Sequence, residues 1–167
     1  MSIKHTAYST LDVPHEEIDL ESWVLGLSDE DYQACARGHH GAGSYRDERG
    51  RGTVNVESVG GSLIVQHYRI VRVEDSSVEL YSAASRVYLF HLIPVRAGVR
   101  WTLETRPRTS TSTDFACTVE VILPPVLDFL GRMMALSWFI RRHTAEETPN
   151  FAADIARKYR RRHAAVR

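Results

Sequence analysis

The chain has 167 residues, a length that suits one domain able to bury a hydrophobic core. Its 21 basic and 21 acidic residues cancel to a net charge of +0, so bulk charge draws it neither to nucleic acid nor to anionic lipid. Only Cys35 and Cys117 are present, far apart and without a CxxC partner, which specifies neither a disulfide scaffold nor a zinc knuckle.

From Ile3 to Val13 a short mixed pattern closed by Pro14 predicts a first edge strand. The N-terminus lacks a basic region followed by an apolar run, and no stretch approaches the ~20 apolar residues of a bilayer span. A cytoplasmic protein without membrane insertion is the expectation. Ile18, Trp23, Leu25 and Leu27 then fall at roughly helical spacing, and Ser28 with Asp31 resembles a capping box opening a second short helix through Tyr32 and Cys35.

Between His39 and Leu123 the texture turns to β-branched and aromatic runs broken by glycine, charge or Ser/Thr clusters, the signature of a strand meander. Six strands are predicted: His40 to Asp47, Thr53 to Val59, Leu63 to Val73, Val78 to about Val87, Val99 to Arg106, and Asp114 to Leu123. Gly50 and Gly52, Gly60-Gly61, Asp75-Ser76, Ala97-Gly98 and the polar Thr109 to Thr113 mark the turns. Val99, Trp101, Leu103 and Thr105 alternate with Arg100, Thr102, Glu104 and Arg106, so the first set faces inward, as do Phe115, Cys117, Val119 and Val121.

Pro124-Pro125 ends the last strand and places a proline at the first turn of a long helix, where its missing N–H does no harm. Leu127, Leu130, Met134 and Trp138, with Arg141 in phase, form the stripe expected to face the sheet. Pro149 should kink or interrupt this helix before a last segment carrying Phe151, Ile155 and Tyr159. Charge is uneven: eight carboxylates and Lys4 alone lie before Cys35, whereas Arg157, Lys158, Arg160, Arg161, Arg162 and Arg167 crowd the end. That basic end is read as a solvated helix terminus favoured by the helix dipole.

This order of elements resembles the START-like helix-grip proteins, the SRPBCC superfamily, over nearly the whole chain. The segments "DLESWVLGLSDEDYQAC", "NVESVGGSLIVQHY" and "RRHTAEETPNFAADI" are similar to a bacterial branch of that superfamily, and no catalytic role attaches to them. The resemblance implies one α+β domain over residues 1–167, a curved antiparallel sheet of about seven strands around a long C-terminal helix, with two short helices after the first strand. It also implies a cavity between sheet and helix for a lipid- or polyketide-like molecule. Some members cyclise or aromatise polyketides; many only bind. The NTF2-like cone is the competing fold, but its chain normally ends in strands.

His67, in phase with Leu63 and Val65, is the expected polar anchor of that cavity, or its acid/base group if the protein is a cyclase, aromatase or dehydratase; a histidine satisfied in the core is the alternative. Tyr81, Tyr88 and His91 lie where both strand faces look apolar, so which of them face the cavity stays open. Trp101, Phe115, Met134 and Trp138 are the expected apolar walls.

No cofactor is specified: Arg46 stands where Gly41-Ala42-Gly43 would need a third glycine, and neither a Walker A sequence nor a GxSxG elbow occurs. Cys117, facing inward among apolar residues, reads as structural. No metal is expected either. His39 and His40 point to opposite faces of a strand, and His143 with Glu146 and Glu147 reads as a salt-bridged surface group.

Overall fold

The computed structural model describes residues 2–125 and 135–164. Strand β1 (Ser2–Leu11) ends ahead of Pro14, and a 3-10 turn over His15–Glu17 follows. Helix α1 (Leu20–Leu25) starts at Asp19, whose carboxylate accepts the Ser22 N–H at 2.9 Å. Helix α2 (Asp29–Gln33) starts at Ser28, whose hydroxyl accepts the Asp31 N–H at 3.1 Å, the cap bond expected there. Both helices are too short to stand alone in water, and they are held by burying Leu20, Trp23, Val24 and Tyr32.

Six strands follow: β2 (His39–Asp47), β3 (Gly50–Val59), β4 (Ser62–Glu74), β5 (Ser77–Leu89), β6 (Ile93–Thr109) and β7 (Ser112–Ile122). With β1 they form one seven-stranded antiparallel sheet in the order β1-β7-β6-β5-β4-β3-β2. The first strand thus lies beside the last, at one edge.

Two predicted turns prove to be strand. Gly52 lies within β3, where an added Cβ would stand 1.9 Å from the Tyr68 carbonyl oxygen, so glycine serves close backbone approach rather than reversal. Ala97-Gly98 lies within the long β6, and the reversal falls earlier, on Phe90 and His91 with φ of 50° and 61°. Bulky residues in the left-handed region carry no glycine signal, which is why the sequence hides this turn. Gly60 and Gly61, at φ 59° and 76°, make the hairpin expected of them.

Helix α3 (Leu136–Ala164) packs along β1 with further contact to β7 and β3. It runs unbroken through Pro149, against the expected interruption. Proline removes the N–H that Ala145 would receive, and side chains serve the flanking carbonyls instead: Thr148 Oγ1 donates to Thr144 O at 2.6 Å and Asn150 Nδ2 to Glu146 O at 3.0 Å. The face against the sheet is Ile140, Thr144, Glu147, Phe151 and Ile155. Of the predicted stripe, Trp138 and Arg141 are exposed, and Leu127, Leu130 and Met134 lie outside the described residues.

The expected faces of β6 and β7 hold: Trp101 and Phe115 are buried on the concave side, where Trp101 lies 5.6 Å from the Phe151 ring of α3. Around them Leu11, Trp23, Leu80, Leu103, Cys117 and Ala152 complete one continuous core. No helix among the described residues is long and apolar enough to cross a membrane.

Candidate functional site

Between the core and the far end of α3, four side chains from three elements converge. His39 opens β2 because Gly38 lets that turn press against β3: an added Cβ there would meet Ser58 O at 2.4 Å, and Ser58 N–H donates to Gly38 O at 2.7 Å. A bulge between His39 and Gly41 then sends His40 outward to Ser58 Oγ and leaves His39 paired with Glu57 on the concave face. The adjacent histidines do separate as expected. From α3, His143 and Glu147, one turn apart, reach down to the same point.

The contacts are tight. His143 Nε2 lies 3.1 Å from Glu57 Oε2 and 3.5 Å from Glu147 Oε2; His39 Nε2 lies 3.2 Å from Glu147 Oε2, 3.6 Å from Glu57 Oε2 and 3.3 Å from His143 Nε2. Outer partners orient three of the four. His39 Nδ1 bonds the Tyr32 carbonyl at 2.7 Å and its ring stacks on that of Tyr32; Glu57 accepts from Tyr32 OH at 3.0 Å and Gln66 Nε2 at 2.7 Å; the Cys117 thiol donates to Glu147 Oε1 at 3.6 Å. His143 is therefore no surface histidine, and the spacing argument against convergent ligands is corrected. Glu146 alone behaves as expected, pairing with Arg37 in solvent at 3.1 Å.

Burial would lower the His143 pKa, but the Glu57 and Glu147 carboxylates beside it outweigh this and push it up to about 9. Burial likewise opposes ionisation of Glu57, yet the charge and hydrogen bond of His143, with His39 behind, hold it at about 2. Burial first, then the Glu147 charge, pushes the Cys117 thiol well up. Trp101 Nε1 donates to its sulfur at 3.2 Å, so the expected structural role fits.

Glu57 and His143 of the cluster stand at the polar end of an apolar cavity of about 80 Å³ between the concave face and α3. Ile64, Val87, Val99, Val121, Phe139 and Ile140 wall it, and Glu57, Gln66, His143 and Thr144 close the polar end. Cross-strand partners share a face, and the Gly60-Gly61 hairpin pairs Val59 with Ser62, so Ile64, Gln66 and Tyr68 join Glu57 inside.

His67 is thereby turned outward and exposed, opposite Val54 on the convex face, which corrects its expected place in the cavity. Tyr81 is also convex, its hydroxyl near Gly98 and its ring under Arg100. Tyr88 lies outward with Arg86 and Arg96, and His91 is exposed in the turn before β6. Of the expected walls, Trp101 and Phe115 face inward but belong to the filled core, whereas Trp138 is 43% exposed against Phe139 and under Arg142. Met134 lies outside the described residues.

Sequence reasoning missed His39, Glu57, Gln66 and Glu147 as site residues. One signal was present: the polar set Thr53, Asn55 and Glu57 alternates strictly with Val54 and Val56, and only the choice of inward face conceals it.

No family model matches the chain, and no curated protein matches it. Solved structures do. The Zhui aromatase/cyclase from Streptomyces sp. R1128 superposes with a TM-score of 0.59 at 11% identity, covering 95% of this chain and 96% of that one. A conserved protein from Geobacillus kaustophilus gives a TM-score of 0.57 at 10% identity over 92% and 95% of the two chains. A protein from Thermus thermophilus gives 0.55 at 11% identity over 93% and 98%. The fold is the START-like helix grip. In this helix grip the first part of α3, Leu136 to Thr144, covers the cavity, and the part from Thr148 to Ala156 covers the filled core. His143 and Glu147 stand at the border between the two.

Proposed function

We propose that the protein binds a small, mostly apolar molecule between sheet and α3, its apolar body against Ile64, Val99 and Ile140 and its polar end at His143, Glu57 and Gln66. The observation that carries this reading is an apolar cavity closed at one end by buried hydrogen-bonding side chains, the usual composition of a ligand site. At about 80 Å³ the cavity takes a short apolar group as it stands. Lipid- or polyketide-sized ligands fill sites of roughly 300–1,000 Å³, so they require α3 and the sheet to separate. A second reading, turnover of a polyketide-like substrate, is favoured by the placement of His143 and Glu57 side by side on the cavity wall. His67 has no part in either reading.

Native mass spectrometry of protein purified from its own cells tests the proposal. A small molecule retained by the native protein, released on unfolding and absent from folded Ala97→Trp, which fills the cavity, is the expected result. Folded wild-type protein that carries nothing and takes up no apolar probe overturns it. Turnover that is lost in His143→Phe while retention survives would favour the enzyme.

A further inference from the structure

The side chains of His39, Glu57, His143 and Glu147 turn two ring nitrogens and two carboxylate oxygens toward one another. The Tyr32 carbonyl can only accept, so His39 Nδ1 carries the hydrogen, and Nε2 is the nitrogen turned to the other three side chains. It lies 3.2 Å from Glu147 Oε2, 3.6 Å from Glu57 Oε2 and 3.3 Å from His143 Nε2. Glu57 Oε2 already accepts the Tyr32 hydroxyl, and the cluster is buried. Two nitrogens and two carboxylate oxygens thus point at one spot.

We propose that these four residues form a metal site for a divalent transition-metal ion of the zinc class, holding α3 to β2 and β3. Metal–nitrogen and metal–oxygen bonds of about 2.0–2.1 Å place the corners of a coordination tetrahedron about 3.3 Å apart. The pairs His39–His143, His39–Glu57, His39–Glu147, His143–Glu57 and His143–Glu147 are separated by 3.3, 3.6, 3.2, 3.1 and 3.5 Å at their facing atoms, so five of the six edges already have about that length, and all four atoms lie within 4.8 Å of one another. Two carboxylates neutralise a dication in a buried place, and imidazole with carboxylate suits zinc or iron(II). The outer bonds have the form that supports metal ligands: His39 through its far nitrogen to a carbonyl, Glu57 through Gln66 and Tyr32, Glu147 through Cys117. Four protein ligands leave no open position, so the ion is structural. The site stands whether or not the cavity takes an organic ligand, and an occupied site removes His143 as a proton donor.

The test uses the whole chain, freed of metal with a chelator, given excess Zn²⁺ and passed through gel filtration. One equivalent of zinc by elemental analysis and a higher melting temperature than in chelator are expected, and Co²⁺ in place of zinc should give the intense visible bands of a tetrahedral N/O site. Glu147→Gln and His143→Ala should lose both the ion and the bands, whereas His40→Ala, with its exposed ring, should keep them. Tyr32→Phe, which leaves every ligand in place, should weaken zinc binding by about 10–100-fold. Folded wild-type protein that retains no zinc and melts at the same temperature with zinc or chelator overturns the proposal. Zinc held equally by folded Glu147→Gln overturns it too, since the ion would then sit elsewhere on the surface.

Discussion

Gln66 and His67 are neighbours in β4 with opposite surroundings: Gln66 is 3% exposed and bonded to Glu57, while His67 stands in solvent on the convex face. A substitution at His67 should therefore behave unlike one in the aromatic core. His67→Ala is expected to lie within about 0.5 kcal/mol of the parent, because surface substitutions away from special features rarely cost more. It should leave any retained ligand in place. Trp101→Ala, which empties the contact with Phe151 and Cys117, should cost about 3–5 kcal/mol. Urea unfolding of the two variants checks this pair; a large loss from His67→Ala would place that ring in the core after all.

At the scale of elements, α3 shows how a helix tolerates an internal proline. Thr148 and Asn150 flank Pro149 and donate their side chains to Thr144 O and Glu146 O, which lie on either side of the carbonyl the proline leaves unserved. Thr148→Val keeps shape and burial but removes the donor, and should cost about 1 kcal/mol. Pro149→Ala restores the missing N–H and should stabilise the helix by about 1–3 kcal/mol. Chemical denaturation measures both, and a destabilised Pro149→Ala would mean that the surrounding packing depends on the proline ring. The strands carry a similar lesson. The sequence of β3 alternates valines with a polar set without saying which faces in; the polar set does, because the glycine hairpin and the pairing of Val59 with Ser62 fix the register.

At the scale of the molecule, the acidic start and the basic end of the chain meet. Lys158 bridges Asp31 at 2.8 Å and Asp154 at 3.0 Å, Arg157 joins Asp31 at 2.7 Å, and Trp23 Nε1 donates to buried Asp154 at 2.9 Å. The basic end is therefore solvated only beyond Tyr159; Arg157 and Lys158 fasten α2 to α3, and the Trp23–Asp154 bond fastens α1. Burial opposes ionisation of Asp31, but hydrogen bonds and charge from Lys158 and Arg157 outweigh it and hold its pKa well below the ordinary 3.8. A depressed carboxylate contributes stability above its unfolded pKa and loses it as pH falls through the folded one. Asp31→Asn should thus be less stable than the parent at pH 7, with the gap narrowing below about pH 4 and shrinking in high salt because Asp31 is only partly buried. Urea midpoints at pH 7 and pH 3 test this, and a gap independent of pH would assign the effect to packing.

The sequence by itself determined the element order, the strand count, the two short helices, the hairpin at Gly60-Gly61 and the inward faces of β6 and β7, since all of these follow from local periodicity, caps and turn chemistry. Only the tertiary structure decided which face of β3 and β4 is inside, that β6 begins at Ile93, and that α3 passes Pro149. It alone brought His39, Glu57, His143 and Glu147 together. A side chain's face depends on register, one residue's slip reverses it, and register is fixed by partners elsewhere in the chain. Convergence of residues 39, 57, 143 and 147 is set by how a helix crosses a sheet, which spacing along the chain does not encode.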